Sequence, residues 1–157
     1  MIRPETPDDY ARIRAIHAGA FPQPLEAQLV EDLRAAGDHV PELCLVHPHG
    51  HVMTSKARVD DHPALALGPI AVDTTYQRQG IGSELIRAVI ERAQHTDYTL
   101  IGLLGHPTYY PRFGFRPGAE LGIESTYDAP SEAWMVLPLP AYTDDVRGTF
   151  HYAPAFP

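Results

Sequence analysis

Apolar positions along this chain follow two different periods, and the changes of period mark its elements. Leu65, Leu67, Ile70 and Val72 form an apolar run between the turn formers Asp60-Asp61-His62-Pro63 and Asp73-Thr74-Thr75, the pattern of a buried strand over residues 65–72. Pro69 lies inside that run. It brings no amide hydrogen, so beside Gly68 it predicts a bulge or a one-sided opening in the sheet. From Gly80 the period becomes helical. Ile81, Leu85 and Val89 recur with Ile86, Ile90 and Ala93 on one side, while Ser83, Glu84, Arg87, Glu91 and Arg92 take the other, an amphipathic helix of about four turns through Gln94. Residues 99–103 read as a second buried strand, so residues 65–103 predict a parallel strand-helix-strand unit.

The flanks are read in the same way. Ile2-Arg3-Pro4 predicts a short edge strand, and Thr6-Pro7-Asp8-Asp9 a helix start, with Tyr10, Ile13, Ile16, His17 and Ala20 on one face. Phe21-Pro22-Gln23-Pro24 breaks the chain. A second helix follows over residues 26–36, with Leu25, Leu29, Val30 and Leu33 inward and Gly37 as its stop. Residues 43–46 and 52–59 predict two strands joined by His47-Pro48-His49-Gly50-His51. Three alternating histidines invite a metal reading, but Pro48 and Gly50 favour a tight turn and no carboxylate or cysteine is adjacent in sequence, so a solvated hairpin is expected and no metal. Beyond the central unit, a short helix is predicted from Pro107 to the stop at Gly114, with Phe113 and Phe115 inward, then late strands at 133–137 and 148–152.

Composition narrows the class. With 157 residues and 44% apolar content the chain suits one compact domain spanning 1–157, a core to about residue 140 and a strand-containing extension over 141–157. A net charge of −8 argues against a nucleic-acid or anionic-membrane binder. No run is long enough to span a membrane and the first residues lack the order of a secretion signal, so a cytoplasmic protein is expected. Cys44 is the only cysteine; flanked by Leu43, Leu45 and Val46, it predicts a small buried hydrophobe rather than a nucleophile.

The junction of the central unit holds the candidate chemistry. Gly80 and Gly82 leave the first-turn amides of the helix uncovered at its positive end, where phosphate is the usual occupant. Arg78 adds a cation there; Gln77, Gln79 and Ser83 add neutral hydrogen-bonding groups. A Walker loop would need Lys-Ser/Thr where Ser83-Glu84 stands. A dinucleotide fingerprint would need glycine at Leu85 and an acidic residue ending the next strand.

What remains, Gln77-Arg78-Gln79-Gly80-Ile81-Gly82 after a Gly-Pro strand, resembles the acetyl-CoA motif of the GNAT superfamily of N-acetyltransferases. Tyr110-Pro111-Arg112-Phe113-Gly114-Phe115 matches a second segment of that family, and the order of elements is similar to its YhbS-like branch; Met53-Thr54 departs where relatives often carry Gly-His. The resemblance implies an α/β fold, a mostly antiparallel sheet with one splayed parallel strand pair and flanking helices, in which the two helices after the first strand wall the acceptor site. It implies an acetyl-CoA-dependent acyltransferase moving acetyl to a primary amine of a small molecule or peptide. The backbone of Ile70, Ala71 and Val72 would pair with pantetheine; Gln77, Arg78, Gln79, Gly80, Ile81, Gly82 and Ser83 would hold pyrophosphate. Tyr110 falls where the family places a tyrosine beside the CoA sulfur, able to protonate the departing thiolate, with Tyr109 second. His106, Glu132 and Glu26 are candidate bases for the attacking amine, His106 having the best intrinsic pKa. A non-catalytic acyl-CoA-binding or sensor module is the alternative, and a homodimer is compatible with either.

Overall fold

The computed structural model describes residues 1–157. Its strands are β1 (Arg3–Pro4), β2 (Leu45–His47), β3 (Gly50–Val59), β4 (His62–Val72), β5 (Leu100–Leu104), β6 (Arg116–Pro117), β7 (Ile123–Ser125), β8 (Trp134–Pro138) and β9 (Gly148–His151). Its α-helices are α1 (Tyr10–Ala20), α2 (Leu25–Ala36) and α3 (Ile81–Ala93). The strands hydrogen-bond in the order β1-β2-β3-β4-β5-β8-β6, with β9 on β3 and β7 on β9. Antiparallel pairing dominates, and β4 runs parallel to β5, as the strand-helix-strand pattern requires. A second parallel pair, β7 with β9, has no signature in the sequence, because its partners lie some 25 residues apart at Ile123 and Gly148.

The chain divides into two compact units. One comprises Met1–Ser55, Gly68–Arg92 and Pro154–Pro157. Its core gathers Ile13, Leu33, Leu43, Leu45, Val52, Leu85 and Val89, all at most 1% exposed, so the apolar stripes of all three helices are buried as their period predicts. Leu25 differs: 52% of it is exposed. Helical side chains lean toward the N-terminus, and as the first residue of α2 after Pro24 it leans past the end of its own helix. Gly37 closes α2 in the left-handed conformation at φ 74°, its N–H donating to Arg34 and Leu33 carbonyls. The strand expected from residue 43 starts at Leu45, since Pro41–Leu43 forms a 3-10 turn.

The other unit comprises Lys56–Leu67 and Ala93–Ala153. Here β4 pairs β5 at Leu65↔Ile101 and Ala66↔Gly102, and Thr99 N–H donates to the Pro63 carbonyl at 2.9 Å. The β5–β8 ladder runs from Leu100↔Pro138 to Leu104↔Trp134. Trp134, Phe150 and Tyr152 pack edge to face and at a tilt beside Ile123, and the Trp134 indole N–H donates to the Ile123 carbonyl at 2.9 Å.

Candidate active site

The turn before α3 is built by local hydrogen bonds. The Asp73 carboxylate accepts from Thr75 N–H at 3.0 Å, and Tyr76 N–H donates to the Asp73 carbonyl at 2.8 Å, closing a 3-10 turn at Thr74–Tyr76. The Gln77 side-chain amide then donates to the Val72 carbonyl at 3.1 Å, tying the turn to the end of β4. Arg78 sits in the left-handed region at φ 65° and Gly80 at φ 87°. The first helical bond is Glu84 N–H to the Gly80 carbonyl, 3.0 Å, so the amides of Ile81 and Gly82 stand ahead of the α3 ladder.

The two glycines of the motif are there for different reasons. Gly80 has a backbone that side chains rarely adopt. Gly82 has an ordinary helical backbone, and a Cβ built on it would meet only the Val72 Cγ2 atom, at 3.9 Å. Neither strain nor packing inside the protein therefore calls for glycine at 82, although glycine costs an α-helix roughly 1 kcal/mol relative to alanine. Gln77, Arg78, Gln79 and Gly80 are exposed, Gly82 and Ser83 half-buried, and Ile81 packs inward. At the end of β4, Ala71 is buried while Ile70 and Val72 are half-buried, after Gly68 at φ 124° and the cis-linked Pro69.

In the other unit, the short helix expected from Pro107 is a 3-10 turn over Tyr110–Phe113, with Pro111 in its first turn and Gly114 closing it at φ 101°. It begins late because the His106 carbonyl first accepts from Tyr109 and Tyr110 amides, at 3.1 and 3.4 Å. The Tyr110 ring lies directly on the backbone beyond β5, where a Cβ at Gly105 would fall 2.3 Å from Tyr110 Cε2. Tyr109, Phe113 and Phe115 surround that ring at centroid distances of 5.0, 6.3 and 5.8 Å. Burial, with the Tyr109 hydroxyl nearby, pushes the Tyr110 phenol up to about 12, so it keeps its proton through the neutral range. Tyr109 belongs to the same cluster, and the Arg112 guanidinium covers its ring at 4.5 Å. The side chains of His106 and Glu132 are exposed; Glu26, half-buried at the start of α2, holds one carboxylate oxygen buried without a partner.

The histidine segment departs from a solvated hairpin. His51 is fully buried on β3. Its Nε2 lies 2.7 Å from Glu5 Oε1 and its Nδ1 2.8 Å from His17 Nε2, while Arg34 donates two hydrogen bonds to Glu5, at 2.7 and 3.0 Å. Burial raises the Glu5 carboxyl, but the hydrogen bonds from His51 and Arg34 outweigh it and hold the group down at about 2. An ionised Glu5 must receive the His51 Nε2 proton, so His51 Nδ1 accepts the His17 Nε2 proton and His17 Nδ1 carries a bare lone pair. Burial, then the charges of His51 and Arg34, push His17 down to about 3, and burial also lowers His51. Sequence reading misses this cluster because its members are 34 and 46 residues apart; only His17 on the inward face of α1 hints at it. His49 and His47 turn elsewhere: the His49 ring stacks on Tyr76 at 3.5 Å, and His47 Nε2 lies 3.6 Å from Glu84. No group of three or more histidine, cysteine or acidic residues is arranged to hold a metal. Cys44 is buried as expected, its thiol pushed up to about 12 by burial while donating to the Thr54 carbonyl at 3.4 Å.

Comparison with known proteins gives one answer. Residues 42–117 match the acetyltransferase (GNAT) domain family. The uncharacterized N-acetyltransferase YjhQ of Escherichia coli (strain K12) is 35% identical over 153 residues, covering 89% of this chain and 84% of YjhQ. The crystal structure of the Escherichia coli GNAT family N-acetyltransferase YhbS in complex with CoA superposes with a TM-score of 0.90 at 29% identity, over 99% of this chain and 91% of that one. A GNAT family acetyltransferase from Brucella melitensis in complex with acetyl-CoA gives 0.81 at 27% identity, over 100% and 97% of the two chains. With its strand order, its Gly80–Gly82 turn and these relatives, the chain belongs to the GNAT acetyltransferases.

Proposed function

We propose that this protein transfers the acetyl group of acetyl-CoA to a primary amine of a small molecule or peptide, and that residues 1–157 work as one N-acetyltransferase domain. The observation that carries the reading is Gly82, a helical glycine that nothing inside the protein requires, in a turn whose amides ahead of the helical ladder and exposed Arg78 suit an anion. That relatives were crystallised with CoA and acetyl-CoA supports pyrophosphate as that anion. In this reading Gln77, Arg78, Gln79, Gly80, Ile81, Gly82 and Ser83 hold the pyrophosphate. The backbone of Ile70, Ala71 and Val72 pairs with pantetheine, beyond the point where Pro69 leaves β4 without an amide hydrogen. No helix is long and apolar enough to cross a membrane, and with a lone reduced cysteine a cytoplasmic site of action is proposed.

Chemically, a neutral amine nitrogen attacks the thioester carbonyl; a C–N bond forms, and collapse of the tetrahedral intermediate breaks the C–S bond. Tyr110 donates a hydrogen bond to the departing sulfur. Since its phenol sits at about 12 and thiols titrate near 8.5, stabilising the growing negative charge is its main contribution. Solvent completes protonation of the thiolate, and the surplus ammonium proton leaves to His106, Glu26, Glu132 or water. The reaction so written needs no metal. Tyr110→Phe keeps the ring over Gly105, so acetyl-CoA affinity and stability stay near wild type while kcat falls roughly 10²–10³-fold. Unchanged single-turnover chemistry in Tyr110→Phe would remove that role.

CoA release measured across a panel of amines and peptides tests the whole reading. Release that depends on the amine supports it. Acetyl-CoA binding without transfer to any amine would favour a sensor module, and absence of binding would end both.

A further inference from the structure

The segment between β2 and β3 is joined to the cofactor turn by two contacts, a backbone bond that carries the β3–β4 pairing one step further and a ring contact that the sheet does not require. The His49 carbonyl accepts from Asp73 N–H at 2.8 Å, and the His49 ring lies flat on Tyr76, centroids 3.5 Å apart and planes 7° apart. Asp73 and Tyr76 are the two ends of the short turn that leads into Gln77. His49 is itself held from behind. Its amide donates to His47 Nδ1 at 3.0 Å, and Arg12 of α1 donates twice to the Pro48 carbonyl, at 2.6 and 3.1 Å. The His49 Nδ1 atom is buried and has no hydrogen-bond partner, so that nitrogen adds nothing to the hold on the turn, whereas the flat face does.

We propose that Pro48-His49 is a positioning device for the cofactor turn: the His49 carbonyl and ring fix Asp73 and Tyr76, and through them the left-handed Arg78 and the amides ahead of α3. This rests on the reading that residues 77–83 hold the CoA pyrophosphate. Binding an anion on backbone amides rewards a turn already in shape, because an unfixed turn is ordered at the expense of affinity. Loss of an aromatic contact of this kind is expected to weaken binding by no more than about tenfold, where the contact holds the turn in its bound shape. His49 touches nothing of the amine or the sulfur in this scheme, so it is a positioning residue and leaves the chemical step alone.

The test uses the whole protein, with acetyl-CoA affinity by calorimetry and steady-state kinetics. His49→Leu keeps apolar bulk but not the flat face; His49→Phe restores the face without the idle nitrogen. Expected is a rise of roughly three- to tenfold in the acetyl-CoA Kd and KM for His49→Leu, with kcat and the amine KM within about twofold of wild type, and recovery to within about twofold in His49→Phe. A cycle combining His49→Leu with Tyr76→Leu should be non-additive in Kd. Gly82→Asp is the reference for the underlying reading. If Gly82→Asp weakens binding and His49→Leu does not, the positioning role is overturned while the cofactor turn stands. Equal loss in His49→Leu and His49→Phe would also overturn it, since no flat face would then matter. If Gly82→Asp binds as wild type does, it is the pyrophosphate assignment that fails, and the positioning role with it.

Discussion

Two polar regions of this molecule contrast. The turn over residues 77–83 is largely exposed, and its glycine at 82 answers to no internal constraint. The Glu5–His51–His17–Arg34 cluster is buried, its proton positions follow from one ionised carboxylate, and nearly every polar atom has a partner inside the fold. The cluster holds the more conspicuous chemistry, and the turn the kind that the proposed function uses. A carboxylate, two histidines and an arginine in a row look catalytic, yet their capacity is used on each other except at the buried His17 Nδ1, with Arg34 also covering the Tyr10 ring at 3.8 Å. Groups poised for a ligand are those that internal bookkeeping leaves over.

The largest effect expected from breaking this contrast is in the cluster. Glu5→Ala strands a buried Arg34 guanidinium and the His51 proton, and should lower unfolding free energy by about 3–5 kcal/mol in urea, with kcat per folded molecule unchanged. A kcat loss without destabilisation would move the cluster from scaffold to catalysis. Next comes acid. His17 is held at about 3 against 6.5 when unfolded, so below pH 6.5 the unfolded chain takes up a proton that the folded chain refuses. Stability is therefore full above pH 6.5 and falls toward pH 3, with Glu5 adding its loss between 4.5 and about 2. Between pH 6 and pH 4 His17 alone accounts for about 2.5 kcal/mol, and His17→Asn should flatten the curve by that amount in urea titrations at both pH values. A parallel pH slope in the mutant would contradict a neutral buried His17.

On the turn side, Gly82→Asp should weaken acetyl-CoA binding at least about tenfold by setting a carboxylate against phosphate, while the melting temperature holds. The smallest effect is the sharpest. Gly82→Ala should raise stability by up to about 1 kcal/mol, because the helix prefers alanine and the space is open, and still weaken acetyl-CoA binding. A variant both more stable and as tight as wild type would mean that Gly82 serves no ligand.

What could be read from the sequence was whatever repeats or sits close together. The spacing of Ile81, Leu85 and Val89 marks α3, and residues 77–82 carry a signature whose parts are neighbours in the chain. Errors of edge were local: Leu25 sits in register with the buried stripe but leans off the helix end, and the 3-10 turn waits for Tyr110 because His106 first makes a turn of its own. The histidines are hidden from the sequence for a different reason. Alternation sends His51 inward, but its partners Glu5 and His17 come from the residue after β1 and from α1, and the Tyr76 that receives His49 from beyond β4, so no window of sequence contains the fact. Tyr110 stands out by its motif, whereas its seat on Gly105 is made by the fold alone.

Cys44 carries a practical consequence. With no exposed surface and a thiol that titrates near 12, it is silent toward disulfide and maleimide reagents while the protein is folded. A thiol-reactive dye added during turnover therefore reports released CoA alone, with no background from the enzyme. Any cysteine engineered onto the surface becomes the sole labelling handle, and the same dye, in the absence of CoA, turns Cys44 into a gauge of how often the surrounding core opens.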